Sequence, residues 1–144
     1  MSVLHDTPVR LADTGAQIGF GRARMTAKAF DGLTVISLSG DIDASNAEPV
    51  SEHIRGFVTL RCPIVLDLSD LDFLGVEGIR GLFALGEACA GAKAGWAVVT
   101  SHAVRRLLRV ADREGRVPAA RSVTEALTRL HVRGRGRRLL RGIG

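Results

Sequence analysis

Two neighbouring carboxylates, Asp41 and Asp43, are the first residues in the sequence that could do chemistry. Such a pair could hold a divalent cation or act as a general acid and base. No third ligand follows at a useful spacing, so we favour roles in a turn and a helix cap, where carboxylates accept backbone N–H groups. A third acid, Glu77, lies in the short segment Gly75 to Gly78, where it would favour the start of a helix.

The cysteines and the arginine cluster point to no reactive centre. Cys62 and Cys89 are far apart and form no metal-binding pattern, and Cys89 continues the apolar face of a predicted helix, which indicates a buried reduced thiol. The run Arg105-Arg106-x-x-Arg109 could bind phosphate, but we favour a solvated helix face with cations towards its end. Because we find no nucleophile–base pair and no metal-ligand set, the sequence predicts no enzyme, no metal and no cofactor.

The longest regular pattern in the chain runs from Pro63 to Ala90. Apolar residues first recur with a period near two, and beyond the small-residue segment Gly75 to Gly78 they recur at spacings of three and four. A period of two is typical of a strand, and a period near 3.6 is typical of a helix. The sequence therefore predicts a strand, a turn at Gly75 to Gly78 and a helix, in that order.

The segments before this pattern predict a hairpin and a helix. Asp31-Gly32 lies between two β-prone runs, residues 25–30 and 33–38, which is typical of a hairpin with a type I′ turn. The next apolar spacing predicts a helix from about residue 47 to residue 60. Candidates for its N-cap are Asp43, Ser45 and Asn46.

The segments after the pattern predict one strand, one weak edge strand and two helices. The strand covers residues 96–100, and the edge strand lies at 117–120, where Pro118 argues against a central position. The first helix begins at Ser101 or His102, and its inward residues are Val104, Leu107, Leu108 and Val110. The second helix opens with a capping box, Ser122-x-x-Glu125, and runs to about residue 130.

The order of these elements predicts an α/β fold. Strands that alternate with helices require crossover connections, so we expect one domain with a mixed, mostly parallel sheet and packed helices, antiparallel at the hairpin. The predicted domain covers residues 25–130. Residues 1–24 lack a clear pattern, and we expect an extension that is loose or folds only against the domain. Residues 131–144 form a basic C-terminal tail.

The charge of the chain is concentrated in this tail. The formal net charge is +5, and the tail contains five arginines and no acid, so the rest of the chain is formally neutral. The tail could contact nucleic acid or an anionic surface, although we favour a solvated end. Aromatic residues make up only 4% of the chain, which argues against a base-stacking platform. Without a signal peptide or an apolar run of ~20 residues, we expect a cytoplasmic protein that does not span the membrane.

Two motifs resemble those of STAS domains, the family of bacterial anti-sigma factor antagonists. Leu38 to Asp43 (LSGDID) is similar to the family's G-E-L-D after the second strand, and Val65 to Leu74 (VLDLSDLDFL) is similar to its v-l-D-L-s-x-v-x-F-I. The resemblance covers about residues 25–130. It implies a compact sheet with packed helices, no catalysis, and an anti-sigma factor with a serine-kinase fold as partner. The implied partner-binding residues are Asp41, Asp43, Leu74, Gly75, Val76, Glu77, Gly78 and Arg80.

The chain departs from the family at the motif that controls partner binding. The family continues with D-S-S-G, whose second serine is phosphorylated by the partner kinase, whereas this chain has Gly75-Val76-Glu77-Gly78. Glu77 occupies the phosphoacceptor position and has no hydroxyl, so it cannot be phosphorylated. It either imitates phosphoserine in part, with one charge against roughly −1.5 to −2 for phosphate, or only stabilises a helix start. An alternative STAS role is a subunit of a larger assembly or a nucleotide- or lipid-binding module.

Overall fold

The computed structural model describes residues 16–130, and the predictions for residues 1–15 and for the basic tail lie outside them. The strands are β1 (Gln17–Phe20), β2 (Ala23–Phe30), β3 (Leu33–Ile42), β4 (Ile64–Leu74), β5 (Trp96–Thr100) and β6 (Ala119–Ala120). The helices are α1 (Ala47–Arg55), α2 (Val76–Gly91), α3 (His102–Ala111) and α4 (123–130). Within residues 16–130, no helix is both long and apolar enough to cross a membrane.

The six strands form one sheet in the order in which they occur along the chain. The pairs β1–β2 and β2–β3 are antiparallel, and the pairs β3–β4, β4–β5 and β5–β6 are parallel. The predicted mixed α/β fold is therefore confirmed. The hairpin turn is confirmed as well, because Asp31 and Gly32 both have positive φ angles, 51° and 84°, as a type I′ turn requires.

The sheet also includes a strand that the sequence did not predict. Residues Gln17–Phe20 pair with Ala23–Phe30, so part of the extension assigned to residues 1–24 adds an edge strand to the domain. This strand has only four residues and contains Gly19, and its side chains are only partly covered. Such a short segment carries too little apolar alternation to be recognised without its partner.

Both faces of the sheet are covered. The larger core lies beneath α1, α2 and α3 and includes Ile36, Leu66 and Val98 from the central strands. The smaller core lies on the other face, where Val65 and Val99 pack with the apolar side of α4. Side chains of successive residues in β4 and β5 thus enter opposite cores, which explains why these strands are nearly continuous apolar runs.

Two details of the predicted helices are wrong. Helix α1 ends at Arg55 and not near residue 60, because the chain tightens into turns in which Phe57 N–H donates to the Ile54 carbonyl (2.9 Å). Val110 was expected to face inward but is 70% exposed. It lies two positions beyond the buried Leu108, which places its side chain on the opposite side of α3.

The predicted starts of the last two helices are confirmed. The hydroxyl of Ser101 accepts the N–H of Val104 (3.1 Å) at the start of α3. At the start of α4, Ser122 Oγ accepts the N–H of Glu125 (3.0 Å), and the Glu125 carboxylate accepts the N–H of Arg121 (2.9 Å). Each cap satisfies backbone donors that have no partner within the helix.

Gly40 and Gly32 provide a matched test of backbone strain. Both have positive φ angles (+91° and +84°), but only at Gly40 would a Cβ collide with the carbonyl oxygen of Arg22. We expect Gly32→Ala to lower the free energy of unfolding by about 1–2 kcal/mol through φ strain, and Gly40→Ala by about 2–5 kcal/mol through strain and overlap. Denaturant unfolding measures both. Equal losses would show that the Arg22 backbone moves aside without cost.

The two thiols should differ sharply in reactivity. Cys89 is buried, as predicted, and burial raises its pKa to about 11, whereas Cys62 is partly exposed. Near pH 8 roughly one Cys89 thiol in a thousand would be ionised, and the thiolate is the reactive form. We expect iodoacetamide to label Cys62 in the native protein and Cys89 only after unfolding. Rapid native labelling of Cys89 in the Cys62→Ser variant would contradict the burial.

Candidate functional site

The candidate site lies where two parallel strands end side by side. Ile42 and Leu74, the last residues of β3 and β4, are register partners, and the N–H of Gly75 donates to the Ile42 carbonyl (2.9 Å). Gly75 is the only residue between β4 and α2, and it is the N-cap of that helix. The predicted order of strand, turn and helix is confirmed, but the turn is shorter than predicted, because α2 already begins at Val76.

Two bulges reshape β4 just before this junction. Along the β3–β4 pair, Ser37 faces Asp67 and Ser39 faces Asp70, so β4 has one extra residue there. A second extra residue lies between Leu71 and Phe73, which face Gly40 and Asp41. The first bulge is held locally: the Asp67 carboxylate accepts the backbone N–H (3.0 Å) and the hydroxyl (2.6 Å) of Ser69. Bulges of this kind commonly redirect side chains next to functional sites.

The bulges change which side chains of β4 are exposed. The period-two pattern becomes a period of three, in which Leu68, Leu71 and Leu74 are buried while the residues between them are exposed. Phe73 is 53% exposed as a result. Phe73 was not among the residues predicted to lie on the surface. The sequence feature that indicates its exposure is the repeated spacing of three between the buried leucines of β4.

Glu77 lies on the surface, in the first turn of α2. Its Oε1 atom lies 3.6 Å from the position that a Cβ on Gly75 would occupy, so the carboxylate folds back towards the helix start. The unpaired N–H groups and the positive end of the helix dipole are concentrated there. Exposed apolar side chains flank the acid: Phe73 precedes it, and Val76 is 64% exposed. We call the exposed side chains of Phe73, Val76 and Glu77 the junction surface.

Two of the predicted partner-binding residues lie beneath this surface. Leu74 is only 8% exposed and packs in the main core. Gly78 is partly buried, and a Cβ at this position would collide with the side chain of Leu74 and come within 3.1 Å of Ile42 Cγ2. These residues position the junction surface, whereas Val76 and Glu77 form its exposed part.

The loop from Asp41 to Asn46 lies beside the junction. Asp43 accepts the hydroxyl (2.5 Å) and the N–H (2.9 Å) of Ser45, and these hydrogen bonds lower the pKa of Asp43. Asp41 lies 3.8 Å from the guanidinium of the exposed Arg22, a surface ion pair that contributes little to stability. Within residues 16–130, no three His, Cys, Asp or Glu residues are grouped as metal ligands. The two hydrogen bonds from Ser45 confirm the turn role expected for Asp43.

Asn46 has a role that the sequence did not reveal. It occupies the N-cap position of α1, but its side chain makes no capping bond to the helix, so the predicted side-chain cap is wrong. The buried amide instead accepts the N–H of Asp43 (2.9 Å) and donates to the carbonyl oxygens of Phe20 (2.8 Å) and Asp41 (2.9 Å). It therefore ties the loop to β1, a contact over 26 residues that no local pattern predicts.

A groove between α1 and α2 adjoins the junction surface. Its volume is about 260 Å³, and its charged lining residues are Glu48, Arg55, Glu77 and Arg80. Arg55 donates to the hydroxyl of Ser51 (2.6 Å) within the groove. The structure thus brings Arg80 and Glu77 together, as expected of a shared surface, and the groove has no net formal charge.

The amide of Asn46 offers a test of the loop. Asn46→Asp keeps the shape but places a carboxylate against two carbonyl oxygens, so we expect the free energy of unfolding to fall by about 2–4 kcal/mol at neutral pH. Protonation would restore one donor, so the loss should shrink as the pH falls towards about 4. Denaturant unfolding at both pH values measures this. Ser45→Ala, which removes one exposed hydrogen bond, is the control, and an equal loss in both variants would refute the role of Asn46.

Comparisons with known proteins agree with this fold. The family model of the STAS domain matches residues 24–126. Osmosensory protein A of Mycobacterium tuberculosis is 40% identical over 116 residues, which are 78% of this chain and 73% of that protein.

Solved structures show the same architecture. The crystal structure of an anti-sigma factor antagonist from Mycobacterium paratuberculosis has a TM-score of 0.67 at 29% identity and covers 76% of this chain and 94% of its own. The anti-sigma factor antagonist SpoIIAA in its unphosphorylated form has a TM-score of 0.60 at 19% identity, over 76% of this chain and 96% of its own, which shows the shared fold. The family match and the sheet topology confirm the predicted resemblance: the chain belongs to the STAS domain family.

Proposed function

We propose that the chain is a non-enzymatic regulatory module that binds an anti-sigma factor with a serine-kinase fold in the cytoplasm. The contact would use the junction surface together with the Asp41–Asp43 loop and Arg80. The observation that carries this proposal is an exposed acid, Glu77, at a helix start beside the exposed apolar side chains of Phe73 and Val76. The description of the related mycobacterial structure as an anti-sigma factor antagonist supports the choice of partner.

The junction surface has the properties of a protein-binding site. Phe73 and Val76 together present apolar area whose burial would stabilise a complex at about 25 cal/mol per Å². The backbone beneath them is fixed by the Ile42–Gly75 hydrogen bond and by the buried side chain of Leu74. A surface that is already ordered loses little conformational entropy on binding.

The second part of the proposal is that serine phosphorylation does not switch this surface. Glu77 supplies a fixed charge at the position where the family has its phosphoacceptor. Ser69 is a poor substitute, because it lies before the junction and its hydroxyl donates to Asp67. If Glu77 imitates phosphoserine, it weakens partner binding permanently or suits a different partner. If it only stabilises α2, it contributes about 0.3–1 kcal/mol to folding and nothing to binding.

Matched phenylalanines test the location of the contact. Phe73 and Phe30 are equally exposed (53% and 52%), but Phe30 lies at the opposite end of the sheet. We expect Phe73→Ser to weaken binding to purified kinase-fold anti-sigma factors at least about tenfold, as for a central interface residue, and Phe30→Ser to leave the affinity unchanged. Isothermal titration calorimetry measures both. Unchanged affinity in Phe73→Ser would place the contact elsewhere.

Neutralising Glu77 distinguishes its two interpretations. In Glu77→Gln the shape is kept and the charge is lost. A phosphoserine imitation predicts tighter partner binding, by about tenfold for 1.4 kcal/mol. A role in the helix start predicts unchanged affinity and only a lower free energy of unfolding.

Phosphate incorporation into Glu77→Ser, and not into the wild type, would show that the kinase recognises this surface. Saturable nucleotide binding by the purified chain, without partner capture, would support the alternative ligand-binding role.

A further inference from the structure

The second half of α2 lines a pocket together with the start of β5 and the loop before β6. Its volume is about 220 Å³, and its lining residues are Phe83, Gly86, Glu87, Ala90, Trp96 and Arg116. It shares no lining residue with the groove between α1 and α2, and none of the junction residues lines it. We call it the aromatic pocket.

Two partly exposed rings, Phe83 and Trp96, give the pocket its apolar lining. The ring of Trp96 lies so close to α2 that a Cβ on Gly86 would approach its Cζ2 atom to 2.8 Å. Glycine weakens the interior of a helix relative to alanine, so the close approach of the ring explains this residue. Aromatic ring faces attract cations, and tryptophan does so most strongly.

Arg116 is held at the pocket by its own loop and by Phe83. The Asp112 carboxylate accepts the backbone N–H groups of Arg116 (2.9 Å) and Val117 (2.8 Å), which fixes the loop between α3 and β6. The Arg116 guanidinium lies over the ring of Phe83, with its Cζ atom 4.5 Å from the ring centroid. This contact restricts the side chain, so less conformational entropy is lost when the guanidinium binds an anion.

The aromatic pocket contains one cation and one acid that do not neutralise each other. Within residues 16–130, the guanidinium of Arg116 and the carboxylate of Glu87 take part in no ion pair, so they lie more than 4.0 Å apart. Arg113 and Glu114, the charged neighbours in the same loop, are exposed and do not line the pocket. The pocket therefore has no net formal charge but presents two separated opposite charges beside aromatic rings.

We propose that the aromatic pocket binds a small zwitterion, a molecule with an ammonium group and a carboxylate. The ammonium group would lie against Trp96 and Glu87, and the carboxylate would accept N–H groups of Arg116. At about 30 Å³ for each water molecule, the pocket has room for about seven waters, so the ligand must be small. A methylated ammonium group suits the site best, because its methyl groups also bury apolar surface against the rings.

Other small ligands match the pocket less well. A simple anion would satisfy Arg116 but would bring a like charge towards Glu87. A nucleotide would add several negative charges there, and ligands of drug size occupy larger pockets, of about 300–1,000 Å³. Because both charged residues are exposed to water, we expect modest affinity even for a zwitterion. The proposal is independent of the proposed partner, because it uses none of the junction residues.

Fluorescence of the full chain tests the proposal directly, because Trp96 is its only tryptophan and it has no tyrosine. Betaine, a trimethylammonium carboxylate, should change the emission saturably, with half-saturation at about 1–10 mM. Two analogues each lack one charge: 3,3-dimethylbutyrate has carbon in place of the nitrogen, and choline has an alcohol in place of the carboxylate. Each should bind at least about tenfold more weakly than betaine. Equal affinity for either analogue, or a response to guanosine monophosphate and none to betaine, would overturn the proposal.

Matched variants locate the binding in the aromatic pocket. Arg116→Gln and Glu87→Gln should each weaken betaine binding at least about tenfold, because each removes one charge and keeps the shape. Arg113→Gln and Glu114→Gln, which change exposed neighbours outside the pocket, should leave the affinity unchanged. Thermal unfolding shows whether each variant is folded, and either pocket variant serves if the other is not. Unchanged betaine affinity in a folded pocket variant, or no saturable response of the wild type, would overturn the proposal.

Discussion

The parallel pairing of β3 with β4 is the constraint on which the site depends. Since Ile42 and Leu74 are register partners, both strands end at the same level, and the residues that follow them become neighbours. One backbone hydrogen bond, from Gly75 to Ile42, then fixes where α2 begins. Residues about 30 positions apart in sequence thereby form one surface. The loop at Asp41–Asp43 and the acid at Glu77 owe their proximity to this pairing.

The two bulges in β4 resolve a conflict within its sequence. In a regular strand, Asp70 and Asp72 would lie on the same face as Leu68 and Leu74, so two carboxylates would enter the core without partners. Each bulge inserts one residue and moves the following side chains to the other face. The leucines stay buried and the acids stay in water. Phe73 becomes exposed by the same rearrangement, so the surface beside Glu77 results from the way this strand avoids burying charge.

Local patterns predicted most of the fold, and long-range contacts explain what they missed. Several features depend only on patterns of neighbouring residues: the hairpin at Asp31-Gly32, the caps at Ser101 and Ser122, and the change of period after β4. The strand β1 does not, because four residues acquire strand structure only against β2. Asn46 was only one of three candidates for the cap of α1, and its bond to Phe20 could not be predicted because Phe20 is distant in sequence. The bulges in β4 were also not predicted, although the spacing of three between its leucines indicates them.

The glutamate at the junction limits how the proposed partner binding could be regulated. A phosphoserine can be added and removed, whereas Glu77 has no hydroxyl to modify. If the junction binds a partner as proposed, control of that binding would act on the amount of the protein, on another residue or on its location. The same backbone that places Glu77 at one end of β3 and β4 places Phe30 at the other.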